Sequence, residues 1–261
     1  MKRSIAVAVL VSAGRHPATN VPRACLGDAV ALAVGRRIAG HALRVIYAGQ
    51  ADEQSLQDYL ALGAGTIEVL HIEPNQNALP ALAAHLKDVD FILTGSRAEL
   101  GLGSGLLPYA LAHTLGRPVI AGVLGAEIKS VASDSCEISA RQFLPKGQRR
   151  RVACSLPVVI SVHPSAPVEL SYAFARRTTG RIVPIASTGS IELVSPAPWK
   201  VTSAIRRPSR LKAEDKKAGH ARLMAAIASE TKAGIVAFEG TSVDKAQVVL
   251  NYLRDNNLVD F

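Results

Sequence analysis

The stretch Phe91-Ile-Leu-Thr-Gly95-Ser-Arg-Ala-Glu-Leu-Gly101-Leu-Gly103-Ser104-Gly105-Leu-Leu-Pro108 decides how the rest of the chain is read. Four apolar or β-branched residues in a row suit a strand buried on both faces, as in a parallel sheet. They lead through a glycine-rich loop into a helical pattern that the spacing places over residues 104–115. Glycines let backbone approach a phosphate, and the free N–H groups of a helix start supply a positive pole. In an open parallel sheet such a loop lies at the carboxyl end of a strand, where ligands bind. From these residues alone a plain turn before a capped helix is an equal alternative.

Working outward, the same alternation holds over about the first 125 residues. Ile5–Val11, Leu43–Ala48, Thr66–Ile72, Phe91–Thr94 and Pro118–Val123 are short strand-like runs. Between them lie helical patterns. In the first, Leu26, Ala29, Val30, Ala33, Val34 and Ile38 recur at three and four, and Gly40 can end it. A second helix is expected with Asp52 and Glu53 in its first turn and Gly63 at its close, and a third over Ala78–Lys87. Strands alternating with helices predict right-handed βαβ crossovers and an α/β fold with a doubly wound, mostly parallel, Rossmann-like sheet.

Past residue 123 the pattern changes. Glu127–Val131, Cys136–Phe143, Arg151–Cys154 and Val158–Val162 are close-set strand candidates without helices between them, which predicts a small antiparallel extension beginning near residue 124. Residues 186–212, rich in Pro, Ser, Ala and Arg, read as an extended arm, followed by a helix over 214–231, a short strand-like run at Ile235–Phe238 and a terminal amphipathic helix over Asp244–Asn256. The expected organisation is therefore a nucleotide-binding α/β domain over 1–185 and a C-terminal arm with helices over 186–261.

The chain has 261 residues, 48% hydrophobic and 20% charged, a composition that excludes wholesale disorder and collagen-like repeats. No apolar run approaches the ~18–20 residues of a membrane helix. The basic start Met1-Lys2-Arg3 and the run to Ala13 imitate a secretory signal, but the run is short, Val/Ile/Ala rather than Leu-rich, and continues as a strand–loop–helix unit. Three widely spaced cysteines, Cys25, Cys136 and Cys154, read as reduced, buried thiols of a cytoplasmic protein, with no metal-ligand spacing.

Net charge is +9, and its source is local: residues 141–222 hold sixteen Lys and Arg against four Asp and Glu. That stretch contains only Phe143, Tyr172, Phe174 and Trp199 as aromatics and no nucleic-acid motif, so a protein-partner or anionic-ligand surface is as good a reading as a nucleic-acid site. A nucleic-acid binder would leave the phosphate-loop topology unexplained, so no nucleic-acid partner is expected. Seven histidines stand outside any HExxH or Ser/His/Asp context, and only Glu99 supplies a carboxylate in the glycine loop. The residues point to a binder without a hydrolytic or transferase site, with no catalytic residue and no metal site expected.

Several separated segments together resemble the β subunit of electron transfer flavoprotein. These are Ile5-Ala-Val-Ala-Val9; Ala48-Gly49 with Ala61-Leu-Gly-Ala64; Asp90-Phe-Ile-Leu-Thr-Gly95; Ser155-Leu-Pro157-Val-Val-Ile-Ser161; Tyr172-Ala173 before a basic stretch and Val183-Pro-Ile185; and Glu239-Gly240 before Val248–Arg254. The resemblance implies a subunit that holds AMP, or a second FAD in bifurcating members, and pairs with an α subunit carrying most of the FAD contacts. Electrons would pass from flavin dehydrogenases to a membrane quinone reductase. Carried over by position, the nucleotide would meet Ala8, Pro22, Ala48, Glu99, Gly101, Gly103, Ser104, Gly105 and Leu106, and partner recognition would use Tyr172, Ala173, Arg176 and Arg177. Departures from the family pattern are the missing lysine after the first strand, where Leu10 or Val11 stands, and the replacement of an acidic loop by Leu100–Leu107. A stand-alone adenine-nucleotide module of the universal-stress type would share the first 125 residues without needing the extension or the arm.

Overall fold

A computed structural model describes residues 5–73, 76–101, 103–132, 135–186, 219, 239–256 and 258–259. Its contacts divide the chain into two units, 1–197 and 198–261. The 186–212 arm beyond Ala186, most of the helix expected over 214–231 and the run at 235–238 lie outside the described residues.

The first unit is built on a nine-stranded sheet. In chain order its strands are β1 (Val7–Val11), β4 (Arg44–Gly49), β5 (Thr66–His71), β6 (Phe91–Thr94), β7 (Val119–Ala132), β8 (Ser135–Phe143), β9 (Arg149–Ser155), β10 (Val158–Val162) and β11 (Arg181–Ile185). The spatial order is β11-β5-β4-β1-β6-β10-β7-β8-β9, parallel except for the β7–β8 and β8–β9 pairs. The fold is thus α/β with a mostly parallel sheet and an antiparallel flank. A separate two-stranded ribbon, β2 (Ala13–Arg15) with β3 (Pro22–Ala24), occupies what the sequence reads as a loop.

The continuous apolar runs are explained by burial on both sides. Val7, Val9 and Val11 join Phe91, Leu93, Val158, Ile160 and Val162 under α1 (Leu26–Ala39) and α2 (Leu56–Ala61). The alternating residues Ala8, Leu10, Ile92 and Val159 pack against α3 (Ala78–His85) and α4 (Leu107–Leu115). Helices on opposite faces make the sheet doubly wound.

Five expectations need correction. Of the cysteines expected to be buried only Cys25 is; Cys136 and Cys154, on the antiparallel flank, are partly exposed. Val158–Val162 is not part of the antiparallel extension: it runs parallel between β6 and β7, with all five residues buried. A sequence run cannot show which neighbours a strand will find, and this one returns to the centre. Pro118–Val123 and Glu127–Val131 are one 14-residue strand, β7, which leaves the parallel sheet through a register shift near Gly125. Helix α2 begins at Leu56, so Asp52 and Glu53 precede it; Glu53 accepts a bond from the Ser55 N–H at 3.0 Å. Helix α4 begins at Leu107 rather than near Ser104, because Gly103 and Gly105 take positive φ (54° and 70°) that no helix continues through.

In the second unit, α6 (Ser242–Asp255) matches the terminal amphipathic helix. Its start is locked by a capping box in which Thr241 Oγ1 accepts from the Asp244 N–H and the Thr241 N–H donates to Asp244 Oδ2.

Candidate functional site

The strand after β1 lies to one side of it and the strand after α3 to the other, so the topological switch point falls between β1 and β6. Open space at this end of the strands forms a cleft of about 290 Å³. Leu10 to Ala13 at the end of β1, Ile46 to Ala48 of β4, Ala78 and Leu82 of α3, and Ala98, Leu100, Gly101 and Leu107 of the glycine loop line it. The walls are chiefly apolar, with backbone of the loop and ribbon as the polar element.

The loop is shaped by glycine where geometry demands it. Gly105 has φ +70°, and a Cβ there would stand 2.8 Å from the Ser96 carbonyl oxygen. Ser104 Oγ accepts from the Leu106 N–H at 3.3 Å, turning the chain into α4. The first helical bond runs from the Ala110 N–H to the Leu106 carbonyl, so the N–H groups of Leu107 and Tyr109 have no acceptor among the described residues.

Behind the loop lies a polar knot centred on Asp28, in the first turn of α1 and 5% exposed. Its carboxylate accepts from the Ser12 N–H at 2.8 Å, from the Ser12 hydroxyl, and from the Gly95 N–H at 3.1 Å. One side chain therefore ties the end of β1 to the end of β6 across the switch point. Burial pushes the Asp28 carboxyl up to about 6, against the opposing pull of its Ser12 and Gly95 donors. Gly95 must be glycine here, since a Cβ would stand 2.2 Å from Asp28 Oδ1. The Tyr59 hydroxyl extends the knot, donating to the Ser12 carbonyl at 2.7 Å and accepting from the Cys25 N–H at 2.9 Å.

The structure places the residues picked out by sequence as follows. Ala48 and Gly101 line the cleft; Gly103, Ser104, Gly105 and the 63%-exposed Leu106 form the rest of its loop. Ala8 is fully buried on the α3–α4 face, one side-chain row below Leu10, and so underlies the cleft. Pro22 lies in the ribbon. Glu99 is engaged twice, accepting from Arg23 Nη2 and from the Leu26 N–H, both at 3.0 Å, which fastens the loop to the start of α1.

Tyr172, Ala173, Arg176 and Arg177 form a separate surface at α5 (Ala175–Thr179), before the edge strand β11. The Tyr172 hydroxyl donates to Asp58 Oδ1 at 3.2 Å, the Ala173 N–H to the Ala61 carbonyl at 2.9 Å, and Arg176 Nη1 to the Ser171 carbonyl at 2.9 Å. The Arg177 guanidinium lies 5.2 Å from the centre of the Phe174 ring. Sequence reasoning missed Asp28 and Tyr59. An acid in a helix's first turn is ordinary, and only its burial against Ser12 and Gly95 sets it apart.

An open doubly wound α/β protein, with its cleft at the switch point behind a glycine-rich strand-to-helix loop, is the class this geometry defines. Residues 26–195 match the family model of the electron transfer flavoprotein domain. The chain is also 35% identical to the electron transfer flavoprotein subunit beta of Chromohalobacter salexigens, over 99% of its own length and 97% of that protein's. The chain belongs to the electron transfer flavoprotein β-subunit family. Among the described residues, no helix is long and apolar enough to cross a membrane.

Proposed function

We propose that this chain holds AMP in the switch-point cleft and pairs with an α subunit that carries FAD. The pair would pass electrons from flavin dehydrogenases to a membrane quinone reductase, working in the cytoplasm. The observation that carries the reading is the loop from Ala98 to Leu107, whose glycines keep backbone open beside the two free N–H groups of the α4 start. Those donors and the helix dipole suit a phosphate. The Ile46, Ala48, Ala78 and Leu82 walls suit a flat purine and leave it room. FAD held by the α subunit would supply the redox chemistry; this chain's residues bind, orient and shield. Tyr172, Ala173, Arg176 and Arg177 would form the dehydrogenase-recognition surface, since they present an exposed aromatic and cationic face anchored on α2.

AMP is preferred to a second FAD as the commoner occupant in the family that the chain resembles. Co-expression with the α subunit, purification and identification of the heat-released nucleotides test both points. One flavin and one AMP per pair is the expected result. Nearly two flavins would place FAD in this chain, and a chain that purifies alone with an adenine nucleotide would make it a stand-alone nucleotide module.

A further inference from the structure

Register in the antiparallel flank sets like charges face to face. Arg141 of β8 lies directly opposite Arg151 of β9, and on its other side opposite Gly125 of β7. Directly opposed like charges on neighbouring strands are destabilising. Both arginines line a second cavity, of about 130 Å³, whose other wall is the last turns of α1 with Val34, Arg37 and Ile38. The Arg141 guanidinium lies over Gly125, with Nη2 4.0 Å from where a Cβ would stand.

Several arginines elsewhere in the chain are engaged. Arg15, Arg23 and Arg44 pair with Glu53, Glu99 and Glu68; Arg36 and Arg176 donate to carbonyls at the end of α2; Arg150 donates twice to Gln142 Oε1. The side chains of Arg37, Arg141 and Arg151 are exposed and have no hydrogen-bond or ion-pair partner among the described residues. Glu127 is the one carboxylate in the lining and forms no such pair with them. Three guanidinium groups against one carboxylate leave a surplus of positive charge in a concave site, where the field is focused rather than dispersed.

From this we infer that the cavity between α1 and the antiparallel flank is a binding site for a small multivalent oxyanion of the phosphate type, held by Arg37, Arg141 and Arg151. Planar guanidinium forks match phosphate oxygens in paired hydrogen bonds. The anion would supply the counter-charge that the opposed Arg141 and Arg151 lack. The site is distinct in position and lining from the switch-point cleft, so it stands or falls independently of the nucleotide reading.

The test is titration of the full-length chain with inorganic phosphate and with pyrophosphate, at ionic strength held constant with KCl. Each Arg141→Gln or Arg151→Gln change should weaken pyrophosphate binding about tenfold, the loss of one charge-assisted contact. Arg150→Gln should leave it unchanged, since Arg150 is already held by Gln142. Glu127→Gln should tighten it. Without added anion, Arg141→Gln should unfold at no lower temperature than wild type, and pyrophosphate should reverse that order. A response to phosphate alone at the same occupancy would identify the free ion as sufficient ligand; a response to pyrophosphate only, a phosphate ester or anhydride. Equal binding by wild type and both arginine variants, or binding abolished by Gly105→Val instead, overturns the inference.

Discussion

Gly105 carries the most exacting backbone position in the cleft. Valine there would meet both the positive φ of +70° and the Ser96 carbonyl at 2.8 Å, whereas at Gly103 the nearest atom to a new Cβ is 3.4 Å away. Strain of this kind costs about 1–3 kcal/mol. Gly105→Val should therefore lower stability more than Gly103→Val and abolish nucleotide retention. It should also forfeit the ligand's contribution, about 2.7 kcal/mol at a hundredfold excess over the dissociation constant. Equal nucleotide content in wild type and variant would remove the loop from the site.

Asp28 gives a second residue-level prediction, with a definite sign. Its carboxyl is raised from 3.8 to about 6 in the folded chain, so the folded state holds the proton more tightly than the unfolded state. Its contribution is full below pH 3.8, declines as pH rises toward 6, and stays low above that. Over that window the loss is about 3 kcal/mol, at ~1.4 kcal/mol per unit. Asp28→Asn cannot titrate, so its stability relative to wild type should improve by that order between pH 4 and pH 7. Denaturant midpoints for both proteins across the range check it; a relative change of the opposite sign would mean that the donors, not burial, dominate Asp28.

Among the elements, β10 is the informative one. A strand on the antiparallel flank would expose one face, but β10 is buried throughout, with Ile160 fully enclosed beneath α1. Ile160→Ala should thus cost about 2–5 kcal/mol, the range for deleting a large aliphatic in a packed core. Chemical denaturation measures it, and a loss near that of a surface site would contradict the central position. The same element shows why the extension was misread from sequence. Helix-free spacing between Arg151–Cys154 and Val158–Val162 suggests a hairpin, yet Leu156-Pro157 carries the chain across to pair with β6. In contrast α1, with its three-and-four spacing and Gly40 at φ +57°, was legible nearly to the residue.

At the scale of the whole molecule, the question is what the C-terminal quarter does. Residues 186–212 lack the apolar periodicity of a segment that folds alone, and ordering an extended chain costs roughly 1–2 kcal/mol per residue. Trp199 with Arg206, Arg207 and Arg210 supplies the residue types that dominate protein interfaces, and Lys212 adds charge. Deleting residues 196–261 should leave the nucleotide domain folded and prevent co-purification with the α subunit. If the truncated chain still forms a tight heterodimer, the interface lies on the 124–185 extension instead.

The sequence by itself determined the parallel α/β class, the places along the chain of the first four parallel strands and the glycine loop. It did so because burial on two faces, helical periodicity and glycine's backbone freedom are local properties written into neighbouring residues. The segments resembling the flavoprotein β subunit, spread from Ile5 to Arg254, also lay open in it. Only the tertiary structure decided that Val158–Val162 enters the centre of the sheet, that Asp28 joins Ser12 to Gly95, and that Arg141 faces Arg151 beside Arg37. Each of these depends on which distant segments become neighbours, and strand pairing and burial settle that by competition across the whole fold.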